Sequence, residues 1–145
     1  MVEPTPLVQA VRALARASRI VERASDDLSF ADYRVMAAIQ SGEERATRLA
    51  DRLALGKPAV SASVESLSKR GLIIRGKVEG DNRAVALSVS EEGRELFTRM
   101  EVRMARQLEL LSERTGNSDQ IIAALGMLGE AIEQAIQQRY AGDEK

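Results

Sequence analysis

The residues that can do chemistry in this chain are cations rather than nucleophiles. Between Arg45 and Arg83 lie nine Lys/Arg (45, 48, 52, 57, 69, 70, 75, 77 and 83) against four acids (51, 65, 79 and 81). That segment carries +5 and leaves −6 on the rest of a 145-residue chain whose net charge is −1. Phosphate attraction follows the local field more than the global sum, so the segment suits a polyanion. The same charges also suit ordinary solvated helix faces. Cys and His are both absent. Their absence excludes disulfides, thiol nucleophiles and the usual zinc or haem sites, and it removes the usual proton shuttle at neutral pH. Asp26-Asp27 and Glu43-Glu44 are adjacent acid pairs in apparent loops and read as solvated helix breakers. No enzyme, metal or cofactor is expected.

The cations must be positioned by a short ordered set of elements. A helix is expected to start at a Ser29 cap and run through Tyr33, Met36, Ala37 and Ile39 to about Ser41-Gly42. A short helix follows from Ala46 to Leu53, then a turn at Leu55-Gly56. Lys57-Pro58 opens a further helix, whose stripe of Val60, Val64 and Leu67 faces inward and which Gly71 terminates. Leu72–Val78 and Ala84–Val89 read as two strands, with Glu79–Arg83 as the charged tip between them. Two helices around a glycine-containing turn, backed by a two-stranded hairpin, make a winged helix-turn-helix.

In that arrangement the second helix enters the major groove of double-stranded DNA. Its outward side presents Lys57, Pro58, Ser61, Ala62, Glu65, Ser66 and Lys69. Small and polar residues allow close approach. Ser61 and Ser66 can bond to bases or phosphates, and Lys57 and Lys69 can pair with phosphates. A half-exposed surface helix would look similar, since no bidentate Arg, Asn or Gln marks direct base readout. The hairpin adds Lys77, Asp81 and Arg83. Arg83 is expected at the apex, suited to a narrow minor groove, with Asp81 placed to hold its guanidinium.

The remaining chain is helical. Thr5-Pro6 starts a helix carrying Leu7, Val11, Leu14 and Val21 on one face through about Ala24. Ser90 caps a long helix with Phe97, Met100, Met104, Leu108 and Leu111, ended by Thr115-Gly116-Asn117. A last helix runs from about Ser118 to Tyr140, with Ile121, Leu125, Leu128, Ile132 and Ile136 recurring on it. These apolar faces have little to bury against in a monomer of this size. Pairing two chains through Leu7, Val11, Ile121, Leu125, Leu128 and Ile132 covers them and sets two recognition helices about one DNA turn apart. Packing within one chain is the alternative for part of each stripe. The N-terminus has no long apolar run, so neither a signal peptide nor a membrane helix is expected, and a cytoplasmic location follows.

From about Leu28 to Phe97 the sequence resembles the multiple antibiotic resistance regulator (MarR) family. The resemblance rests on "LSFADYRVMAAI", "RLADRLALGKPAVSASVESLSKRGLI", "GDNRAVALSVS" and "SEEGREL". The family's Asp-x-Arg wing motif matches Asp81-Asn82-Arg83. The resemblance implies a mainly α fold with a small β-hairpin: residues 1–145 as one domain, about 28–97 as the winged unit, and about 5–24 and 98–140 as dimerisation helices. It further implies a homodimeric repressor of pseudo-palindromic operators, relieved by a small-molecule effector. Arg12, Arg16, Arg19 and Arg23 of the first helix suit an anion or plain solvent, and no effector residue is assigned. A dimeric winged module for protein interaction, without sequence-specific DNA binding, is the competing function.

Overall fold

The structure, a computed structural model, describes residues 2–42 and 45–143, and the side chains of these except at positions 82–84 and 143. The acid pair Glu43-Glu44 therefore lies outside the described residues. Six helices and two strands follow one another as α1 (Pro6–Arg23), α2 (Phe30–Gln40), α3 (Ala46–Leu53), α4 (Lys57–Lys69), β1 (Ile73–Val78), β2 (Asp81–Val89), α5 (Glu91–Glu113) and α6 (Ser118–Asp143). This is the mainly α, winged helix-turn-helix order expected from the sequence. The chain divides into two compact units, Met1–Ala105 and Arg106–Lys145, with the boundary inside α5.

Local chemistry sets most of the boundaries. Thr5 Oγ1 accepts the Val8 amide at 3.3 Å, and Ser29 Oγ accepts the Asp32 amide at 3.1 Å, each occupying a donor that has no partner inside its helix. At the end of α4, Gly71 takes φ +72°. Its amide bonds Ser68 O at 3.0 Å, and the Leu72 amide bonds Leu67 O at 2.9 Å. This pair of bonds is a Schellman motif, which requires a left-handed residue and favours glycine there. Helix α3 ends at Leu53 as expected, and the turn begins one residue before the expected Leu55-Gly56. Gly56 has an ordinary φ of −62° and caps α4. Ala54 adopts the left-handed conformation instead, at φ 50° and ψ 36°. The Leu55 amide bond to Ala50 O at 3.1 Å holds it there.

Ser90 joins three elements. Its Oγ accepts the Gly93 amide at 3.0 Å and donates to Gly71 O at 2.6 Å, while its own amide donates to Leu72 O at 3.0 Å. Gly93 sits so close to this junction that a Cβ there would lie 2.1 Å from Leu72 O. The first turn of α5 can meet the start of the hairpin only because residue 93 lacks a side chain.

The core of the first unit collects Leu28, Val35, Met36, Ile39, Leu49, Val60, Val64, Leu67, Leu72, Ile73, Leu87, Leu96, Phe97, Met100 and Met104, each 6% exposed or less. Contributions come from α2, α3, α4, the hairpin and α5. At its edge, Tyr33 stacks between Phe30 and Phe97, with ring centroids 5.9 and 5.1 Å away. The Tyr33 hydroxyl donates to Glu101 Oε1 at 3.1 Å. Burial, followed by the charge and hydrogen bond of Glu101, pushes the phenol up to about 12. Helix α1 buries no residue at all. In the second unit, the buried Ser112 hydroxyl pairs with Ser118 Oγ at 2.7 Å across a turn whose Gly116 has φ +73°. Among the described residues no helix is long and apolar enough to cross a membrane.

Candidate nucleic-acid interface

The phase of α4 is fixed by what it buries. Val60, Ser63, Val64 and Leu67 turn inward at helical spacing. The seven residues read from the sequence as outward (Lys57, Pro58, Ser61, Ala62, Glu65, Ser66 and Lys69) are all exposed. Ser63 completes the inward stripe, a small polar residue that an apolar pattern alone does not reveal. The amino end of α4 sits against α3, where Ala46, Thr47, Ala50, Lys57, Val60 and Ser61 line a shallow cavity of about 240 Å³. Ser61 thus sits where the two helices of the helix-turn-helix meet.

The hairpin corrects one expectation. Its turn consists of Glu79 and Gly80, with Gly80 at φ +80°. Arg83 is therefore in β2 and past the tip, not at the apex. Pairing explains the shift. Lys77 pairs with Val85, yet the next residue, Val78, pairs with Asp81. The backbone of residues 82–84 consequently forms a bulge in β2 opposite a continuous β1. A bulge bends and twists the strand that carries it. The Arg83 side chain lies outside the described residues. Lys77 and Asp81 are both exposed on the hairpin. A further backbone bridge links Arg45 to Ala86, so the approach to α3 runs along the outer edge of β2.

Between α4 and the hairpin lies an open groove of about 710 Å³. From α4 it is lined by Ser61, Glu65, Ser68 and Lys69, and from the hairpin by Arg75 and Val85. Lys69 Nζ sits 3.0 Å from Glu65 Oε1, one helical turn away. The hydrogen bond and charge of Lys69, with a lesser contribution from the charge of Arg75, hold the Glu65 carboxyl below the usual carboxylate range. The Ser68 hydroxyl is buried beside the same groove and has no partner among the described residues. Arg75 belongs to the basic segment, and nothing in its residue type sets it apart from the other cations there. Strand alternation places it on the same face as Lys77, which is the available signal. Its place opposite Glu65 is a tertiary fact.

Of the residues expected to pair two chains, Leu7, Val11, Leu125, Leu128 and Ile132 are exposed, and Ile121 is half-buried. Among the described residues there is no group of three or more acids that could hold a metal ion.

Helix α3, the turn, α4 and the bulged hairpin form a winged helix-turn-helix with a cationic groove beside its second helix. Residues 26–84 match the sequence model of the MarR family. No curated protein sequence matches the chain. Solved structures do. The transcriptional repressor CouR, bound to a 23-mer DNA duplex, is 25% identical with a TM-score of 0.73, and the match covers 87% of this chain and 91% of that one. A mutant of MarR from E. coli is 18% identical with a TM-score of 0.73, over 90% of this chain and 99% of that one. The PcaV transcriptional regulator from Streptomyces coelicolor, in complex with its natural ligand, is 20% identical with a TM-score of 0.63, over 100% of both chains. The winged segment, residues 26–84, is thus similar to the MarR family.

Proposed function

We propose that this protein is a DNA-binding transcriptional regulator. The observation that carries the proposal is the surface around α4: seven exposed small, polar or charged residues on a helix fixed by a closed core, flanked by a groove holding Lys69 and Arg75. Lys57, Pro58, Ser61, Ala62, Glu65, Ser66 and Lys69 form the major-groove surface. Lys77, Asp81 and Arg83 form the wing contact. With no bidentate Arg, Asn or Gln among the outward residues of α4, phosphate contacts and duplex shape carry more of the recognition than base edges.

In this reading, residues 1–145 act as one domain of a cytoplasmic homodimer. Leu7, Val11, Ile121, Leu125, Leu128 and Ile132 lie in the subunit interface, and the dimer represses pseudo-palindromic operators. A small-molecule effector relieves repression. The DNA-bound CouR repressor and the ligand-bound PcaV regulator, both of similar fold, support this reading.

Selection of bound duplexes from a random pool, followed by salt titration of the selected duplex, tests it. A regulator enriches a two-fold symmetric sequence and loses affinity steeply as salt rises. Absence of enrichment, with no duplex binding at low salt, refutes it and leaves the protein-interaction module. Replacing Arg83 with Ala is expected to weaken binding at least several-fold while leaving the dimer intact.

A further inference from the structure

A carboxylate on a DNA-facing helix is costly, because it repels the phosphates that supply most of the binding energy. Glu65 is such a carboxylate. It is exposed, one turn before Lys69, and lines the same groove as Lys69 and Arg75. These three residues, with Ser61 and Ser68, form the concave surface between a recognition helix and its wing. When the helix lies in the major groove and the wing reaches an adjacent groove, the strand separating the two grooves must cross this concavity.

We propose that Glu65 is an internal competitor for DNA phosphate: in the free protein it engages Lys69 and faces Arg75, and duplex binding exchanges its carboxylate for a backbone phosphate on the same two cations. The proposal rests on the DNA-binding reading above and assigns a role within that interface. The geometry supplies each part. Lys69 reaches Glu65 at 3.0 Å, with both side chains more than half exposed, so the pair opens at little cost and contributes little to stability. Arg75 comes from a different element, so a phosphate between it and Lys69 bridges helix and hairpin. The exchange lowers affinity for every duplex about equally, since phosphate contacts carry no sequence information. Glu65 thereby restrains non-specific binding, and the base and wing contacts must supply the surplus that a true site offers.

The test uses the full-length protein and two probes, a random-sequence duplex pool and a duplex selected from it. Binding of wild type and Glu65→Gln is titrated between about 50 and 200 mM salt. One further neutralised phosphate corresponds to roughly eightfold in affinity near 0.1 M salt and steepens the log–log salt slope by about 0.9. Glu65→Gln is therefore expected to bind both probes up to that much more tightly, with the steeper slope. In a Lys69→Gln/Arg75→Gln background the gain from Glu65→Gln is expected to shrink towards none. All four positions of the cycle should melt alike. Unchanged affinity in Glu65→Gln overturns the proposal. Loss confined to the selected duplex overturns it in favour of a base contact, as a carboxylate accepting from cytosine would make. A gain undiminished in the double-variant background assigns the effect to bare repulsion and also overturns it. If wild type binds neither probe, the DNA-binding reading itself has failed, and this role fails with it.

Discussion

The winged segment and the terminal helices draw on the same aliphatic residues with opposite results. In the winged segment Met36, Leu49, Leu67, Leu87 and Met100 are fully buried, and every element contributes to one core. In α1, Leu7 is 75% exposed and Val11 61%, and in α6 Ile132 is 54% exposed. Amphipathic periodicity shows that a face wants burial. It does not show whether the same chain supplies the cover. The winged segment is closed on itself, and the terminal helices keep large apolar residues exposed.

Breaking the closed region should give the largest effect. Gly93→Ala sets a methyl 2.1 Å from Leu72 O, a backbone atom that cannot swing away. It is expected to destabilise the fold by about 3 kcal/mol or more, read as a fall in urea midpoint. An unchanged midpoint would mean that α5 and the hairpin do not meet as described.

Next is the open region. Wild type should show a thermal midpoint that rises with protein concentration, because a dimer interface stabilises by mass action. Leu125→Asp with Leu128→Asp should abolish that dependence and halve the mass in sedimentation. The expected loss is about 3 kcal/mol of association, the low end for two buried leucines. A double variant that remains dimeric would place the interface elsewhere. Ser90→Ala returns to the closed region and removes a helix cap as well as a bond to Gly71 O. It should cost about 1–2 kcal/mol without altering the oligomer.

A pH titration sharpens the contrast further. The Tyr33 phenol is neutral in the fold up to about 12, against an ordinary value of 10.0. The folded state therefore holds this proton more tightly than the unfolded chain. The associated stability is fully present below pH 10 and is lost as pH rises from 10 towards about 12. Urea midpoints should fall across that window, and Tyr33→Phe should flatten the fall. The smallest effect is a gain. Ala54→Gly relieves a left-handed residue and should stabilise by up to about 1 kcal/mol, net of the added freedom of the unfolded chain.

Much of the fold was legible because its signals are local. Thr5, Ser29 and Ser90 cap helices through amides within three residues of themselves, and Gly71 closes a turn through its own backbone. The outward face of α4 was legible as well, because the aliphatic stripe fixes its phase. The tip of the wing was not. Arg83 left the apex because strand pairing put a bulge at residues 82–84, and register is a property of two strands together. The turn after α3 reads as Leu55-Gly56 in the sequence, but the left-handed residue is Ala54, held by the bond from the Leu55 amide to Ala50 O.

By itself the sequence determined the order of elements, the outward face of α4, and a basic segment inside an acidic chain. Each of these depends on residue type and on spacing within one or two turns. Tertiary structure alone decided that Gly93 must be glycine, that Arg75 faces Glu65 across a groove, and that Leu7, Val11 and Leu14 of α1 stay exposed. Those facts depend on distances between residues far apart in the chain, set only when the core closes.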